Sequence, residues 1–138
     1  MSSMNEHAAA ASPNTPAAPA APDLCLIHVT VTVADAATAE RLARQLVMER
    51  LAACVSISGP ETAFFHWNGA LDQRAEYALW IKTRRTLATA AIDRVCALHP
   101  DACPGVLALP IFGGAPDFLR WIDAETSPTP HPSAPDGE

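Results

Sequence analysis

Long apolar runs are missing from this chain of 138 residues. Nothing in it approaches the roughly eighteen apolar residues that a membrane-spanning helix requires, so no membrane partner is expected. The first residues contain no arginine and no basic stretch leading into an unbroken apolar one. That argues against a secretory signal or a transit peptide, and the cytoplasm is the expected location. Positive charge is scarce as well. Nine Lys and Arg stand against fifteen Asp and Glu, a formal net charge of −6. A protein that grips a phosphate backbone shows a basic face. The only basic cluster here is Lys82, Arg84 and Arg85, so nucleic acid is not an expected partner. CxxC pairs are absent too. Cys25, Cys54, Cys96 and Cys103 are scattered and read as reduced thiols rather than a disulfide frame. There is no nucleophile elbow and no H-E-x-x-H, and Ser56 and Ser58 have no base placed beside them. The chain reads as a non-enzyme, although catalytic groups need only meet in space.

What is present is unevenly spread. Residues 1–23 are dominated by Ala and Pro, and residues 125–138 by Pro, Ser, Thr and Asp. Neither stretch carries enough large apolar side chains to repay the entropy of ordering. Both are expected to be disordered tails around one folded domain, residues 24–124, long enough for a modest core.

Within that domain the hydrophobic period changes in a regular order. Leu24 to Ala34 alternates, with Cys25, Ile27, Val29, Val31 and Val33 on one face of a strand. Asp35 is a good N-cap for a helix over about 36–51, whose apolar stripe is Ala39, Leu42, Ala43, Leu46, Val47 and Leu51. Strand character returns at Ala53 to Gly59. Pro60 marks a bulge or edge, and the strand resumes at Thr62 to Trp67. Asn68-Gly69 is a strong hairpin signal, followed by a long strand over Leu71 to Thr83. A second helix spans about 86–99 and stops at Pro100. Gly105 to Phe112 is a short strand, with Pro110 hinting at an edge. Pro116 opens a short last helix.

The order β-α-β-β-α-β plus a helix predicts an α+β fold of the ferredoxin-like type with a long central hairpin. A thirteen-residue strand spans roughly 40 Å, whereas a domain of this size has a radius of gyration of about 13 Å. The hairpin therefore overhangs its own domain and carries Phe64, Phe65 and Trp67 out with it. Such an edge aggregates unless another chain pairs with it. A closed symmetric oligomer built by strand pairing is the expected remedy.

Four stretches of the chain resemble the CutA divalent-ion tolerance family. They are Asp35 with Ala37-Thr38-Ala39; Arg50-Leu51-Ala52-Ala53-Cys54-Val55; His66-Trp67-Asn68-Gly69 with Glu76 and Ile81-Lys82-Thr83; and His99-Pro100 followed by Leu109-Pro110-Ile111, Gly113-Gly114 and Phe118-Leu119-Arg120-Trp121-Ile122. The second is the most specific. The resemblance implies a ferredoxin-like protomer in a tight homotrimer, similar in shape to the PII signalling proteins, and a role in tolerance to divalent metals, copper above all. The chain also departs from the family pattern. Ala70 replaces a common Lys, Asp101 a Tyr and Gly105 a Glu, and Val31 stands where some members carry a first-strand Cys. Of a Cys, His and Glu ligand set, only His99 remains.

Two groups of residues are candidate sites. His99, Asp101 and Cys103 form an H-x-D-x-C run after the second helix, with ligand types that suit copper or another divalent metal such as zinc. The same residues also read as a helix C-terminus followed by a turn. Because the spacing matches no established closed site, that second reading is preferred. Trp67, Glu76, Trp80 and Lys82 could line a cleft between subunits that takes a small ligand, as in a PII-like regulator. The preferred alternative is that the two charges, too far apart to meet within one strand, form ion pairs across the interface.

Overall fold

The first strand, β1 (Leu24–Thr32), is central because it is apolar on nearly every position that points toward a neighbour. Ile27, Val29 and Val31 have no solvent exposure. The computed structural model describes residues 21–128. After β1 come α1 (Ala36–Met48), β2 (Cys54–Trp67), β3 (Ala70–Arg84), α2 (Ala88–Leu98), β4 (Val106–Ile111) and α3 (Pro116–Glu125). The four strands form one antiparallel sheet in the order β2-β3-β1-β4. This is the expected ferredoxin-like arrangement. Most of the expected tails, residues 1–20 and 129–138, lies outside the described residues.

Helix ends differ from expectation for local reasons. Asp35 does sit at the N-cap position of α1, but its carboxylate accepts the Thr32 hydroxyl at 2.9 Å instead of a helix amide. The helix stops three residues short of Leu51. Arg50 adopts φ +61, and the Leu51 and Ala52 amides turn back to the Leu46 carbonyl at 3.0 and 3.1 Å. That left-handed residue closes the helix in the manner usually left to glycine. α2 ends at Leu98, because His99, the residue before Pro100, is extended at φ −75, ψ 140; the proline ring disfavours a helical conformation there.

The hairpin is longer than its two apolar segments suggested. β2 runs unbroken for fourteen residues through Gly59 and Pro60. The register slips between Ser58 and Glu61, so the expected irregularity is a bulge inside one strand. Gly59 is required there. Its φ is +114, and a Cβ would stand 3.0 Å from the Glu76 carbonyl oxygen. Asn68 and Gly69, at φ 52 and 79, make the turn.

One face of the sheet carries α1 and α2. Leu42, Leu46, Ala91 and Val95 pack there on Ile27, Val29, Val31, Leu79 and Ile81 to form the main core. The opposite face is covered only at one end. There Ile122 of α3 packs on Leu24 and Ala53, with Ile111 and Leu119 alongside. Arg84 fastens that helix: its Nη2 donates to Asp123 Oδ1 at 2.7 Å and to the Asp123 carbonyl at 2.6 Å, and its Nε to Thr126 Oγ1 at 3.3 Å. Packed structure thus continues through Thr126, which is buried. Asp23 and Glu125, at the expected domain borders, pair with Arg85 and Arg50, both at 2.8 Å. Beyond α3 the face is open, and Leu107 and Leu109 of β4, opposite His28 and Leu26, remain 64% and 44% exposed.

Candidate functional site

His99 follows the last turn of α2 and points back under β1. Its Nε2 lies 2.9 Å from the Thr30 carbonyl oxygen, and the Asp101 amide donates to Nδ1 at 3.0 Å. An amide nitrogen can only donate, so Nδ1 accepts and the ring proton sits on Nε2, aimed at Thr30. Both nitrogens are thus committed to backbone, and the ring is 7% exposed. Neither nitrogen offers a lone pair to a metal without breaking one of these bonds. His99, Asp101 and Cys103 are therefore not assembled as a ligand set. Among the described residues, no three of His, Cys, Asp and Glu are grouped so as to hold a metal ion. His99 instead fixes the path of the loop over residues 99–105, whose far end is tied by the Thr30 amide donating to the Gly105 carbonyl at 3.1 Å.

That loop forms one wall of a groove of about 900 Å³ on the open side of the sheet, where the hairpin leaves the domain. Residues of β3 two apart share a face, so Asp72, Arg74 and Glu76 look into it together, with Phe65 and Trp67 from β2. Asp101 and Cys103 line it from the loop. Part of each group of candidate residues thus meets at one place in the fold, Trp67 and Glu76 from one and Asp101 and Cys103 from the other. Trp67 and Glu76 face Asp101 and Cys103 across the same space. The loop packs tightly on β1 at its far end. At Gly105 even a Cβ would come within 2.9 Å of Thr30 Oγ1.

Glu76 is the buried centre of the groove, at 6% exposure. Arg74 Nε and Nη2 both donate to its Oε2, at 3.0 and 2.8 Å, and the guanidinium carbon lies 5.7 Å from the centre of the Phe65 ring. The ionic partner of Glu76 is therefore Arg74 on its own strand. Its second oxygen, Oε1, accepts no hydrogen bond among the described residues.

Trp80 and Lys82 lie further along the same face of β3, outside the groove. Trp80 Nε1 donates to Ser58 Oγ at 2.9 Å, and its ring meets His28 edge-on at 4.6 Å. Lys82, the only lysine of the chain, donates to Ser56 Oγ at 2.6 Å, and no carboxylate among the described residues pairs with it. Of the remaining thiols, Cys25 is buried. Burial first, and then the negative charge of Asp23, push its pKa up and keep it protonated.

Arg74 and Asp72 escaped the reading of the sequence. The signal was available: strand alternation around Glu76 puts residues 74 and 72 on its face. The contribution of the loop was not readable in that way, because it depends on the chain returning to Thr30 from sixty-nine residues away.

The family model described as CutA1 divalent ion tolerance protein matches residues 27–125. A divalent-cation tolerance protein CutA of Archaeoglobus fulgidus is 38% identical over 95 residues, which cover 69% of this chain and 92% of that protein. The crystal structure of CutA from Xylella fastidiosa matches the fold with a TM-score of 0.72 at 39% identity, covering 76% of this chain and 99% of that one. CutA1 from Oryza sativa matches with a TM-score of 0.73 at 35% identity, covering 79% and 98%.

Proposed function

The chain belongs to the CutA1 divalent ion tolerance family, and from that premise we propose that it acts as a non-catalytic cytoplasmic homotrimer in the response to copper or another divalent metal. The open sheet face carries this reading. A four-stranded sheet with apolar residues on both sides has helices α1 and α2 on one side only. The other side leaves Leu107 and Leu109 in water, which a second copy of the same face would cover. The sheet also ends in two different free edges, β2 and β4. Pairing one edge with the other is a head-to-tail contact, which gives a closed ring where the rotation between copies closes and an open filament where it does not.

In this reading the metal response is indirect with respect to His99, whose nitrogens are both taken. A second reading is favoured by one observation, the groove around Glu76. The trimer would be a regulator that binds a small molecule there, in the manner of the PII proteins. Its volume lies within the range of ordinary ligand pockets, about 300–1,000 Å³.

Light scattering combined with calorimetric titration tests the proposal. The purified protein is expected to have three times the chain mass of 14.6 kDa. Titration of the reduced protein with Cu(I), Cu(II) and Zn(II) is expected to give the same heats for wild type and for the His99→Ala, Cys103→Ser variant. A monomeric mass removes the trimer. Tight metal uptake that the double substitution abolishes overturns the indirect role.

A further inference from the structure

The two free edges of the sheet carry features that match each other. Beside β2, on the side of the helices, Ala43, Arg44, Val47 and Met48 of α1 line a groove of about 370 Å³ together with Val55. Val47 is 39% and Met48 76% exposed, so apolar surface stands in water there. The Arg44 guanidinium has no partner among the described residues. At the other edge, Phe112 is the first residue after β4 and is fully exposed. Its own chain leaves the ring unobstructed: a Cβ at Gly113 would meet nothing within 4 Å.

Strand alternation sets the side on which each feature lies. Val106 packs on the main core and Ile111 under α3, so the even positions of β4 face the helices. One further step of that alternation puts Phe112 on the helix side, where the groove of β2 also opens. The register sets the level. Cys54, Lys82, Leu26 and Leu109 form one row across the sheet. Phe112 is therefore three residues beyond the row in which β2 begins, roughly 10 Å along the strand. It cannot fill the groove of its own chain, because β3 and β1 lie between the two edges, a separation of about 14 Å. A protruding ring on one edge and a hollow on the other, on the same side and at the same end, are complementary in a head-to-tail contact. We propose that Phe112 of one copy seats in the groove of Ala43, Arg44, Val47, Met48 and Val55 on the next copy and anchors the β4 edge beside the β2 edge. The lining suits a ring. Val47 and Val55 offer apolar contact, the Met48 thioether can meet the ring edge, and the unpaired Arg44 guanidinium can cover its face. The anchor and its seat are different surfaces, so each copy gives one and receives one. The inference rests on the first reading of the function, in which copies join edge to edge.

The test uses the full-length protein with Phe112→p-benzoylphenylalanine, a photo-reactive ring of similar shape. Irradiation is expected to join two chains, and mass spectrometry to place the bond within residues 43–55 of the second chain. Phe112→Ala and Val47→Glu complete the test. Both positions are at the surface, so the fold is expected to survive, and circular dichroism verifies it. Each is expected to speed subunit exchange between isotope-labelled and unlabelled protein, followed by native mass spectrometry, by at least about tenfold, the share of one interface hot spot. The assignment is overturned if the bond forms within one chain, residues 1–20 included, or elsewhere on the neighbour. It is equally overturned if both variants exchange at the wild-type rate. Light scattering separates the two levels. An assembled wild type that fails these tests removes the Phe112 seat and keeps the edge-to-edge assembly; a monomeric wild type removes the assembly itself, and the seat with it.

Discussion

Glu49 sits just past the end of α1 and reaches across to α2. Arg94 donates to it through Nε and Nη2, the latter at 2.8 Å, and Gln45 donates to Oε2 at 2.5 Å. The bonds from Arg94, then the bond from Gln45, hold the carboxyl pKa below its usual value. A carboxyl with a lowered folded pKa adds stability that is present above its unfolded value, about 4.3 for Glu, and that fades as pH falls through the folded value. Wild type is therefore expected to melt above Glu49→Gln at neutral pH, and the gap is expected to close as pH drops below about 4. Melting curves across that range check it, and a gap that is constant in pH would show that the charge on Glu49 is not what ties the helices. His99 gives the complementary lesson at this scale. Its place at the end of a helix was legible in the sequence from Pro100 alone. Its two bonds to the Thr30 carbonyl and the Asp101 amide were not. A histidine beside an aspartate and a cysteine looks like a ligand until the acceptors around it are known, and those come from a strand distant in sequence.

Secondary structure was readable wherever a period was clean. The alternation of β1 and the stripe Leu42–Leu46 in α1 led directly to the core they form. Boundaries were harder, because they are set by single residues in contexts the period does not encode. Arg50 at φ +61 ends α1 early. The bulge at Gly59 lets β2 continue where a proline suggested a break. The role of α3 was not legible. Its stripe shows that it packs somewhere, but Arg84 decides where. The guanidinium, 20% exposed, bonds Asp123 twice and Thr126 once. Replacement of Arg84 by Met keeps the aliphatic stem and removes the bonds. That is expected to cost on the order of 1–3 kcal/mol. It is also expected to speed amide exchange in residues 116–126 ahead of the main sheet. Urea denaturation measures the first effect and hydrogen exchange the second. Exchange that rises equally over the whole domain would mean that α3 is held by Ile122 and its apolar neighbours, with Arg84 only an accessory.

At the scale of the whole molecule, the hairpin and the open face pose one problem. β2 and β3, fourteen and fifteen residues long, carry Phe64, Trp67 and Leu71 beyond the helical layer, each more than 60% exposed. The open face adds Leu107 and Leu109, beside Trp80 and His28. A lone protomer with this much apolar surface and two unpaired edges is a poor soluble monomer. In the proposed trimer these are the contacts between copies, and they are separable from the core because none of the exposed residues packs on Leu42, Leu46, Val95 or their partners. Exchange of both Leu107 and Leu109 for Glu places two like charges on the face of every subunit. Burial of such charges without partners is strongly unfavourable, while the sheet beneath, closed on its other side by α1 and α2, is untouched. The double variant is therefore expected to scatter as a 14.6 kDa monomer with the far-ultraviolet spectrum of wild type. If it remains assembled with unchanged mass, the open face is not the interface. The subunits would then be joined through the hairpin edges alone, with the leucines of β4 left in solvent in the assembly as they are in the single chain.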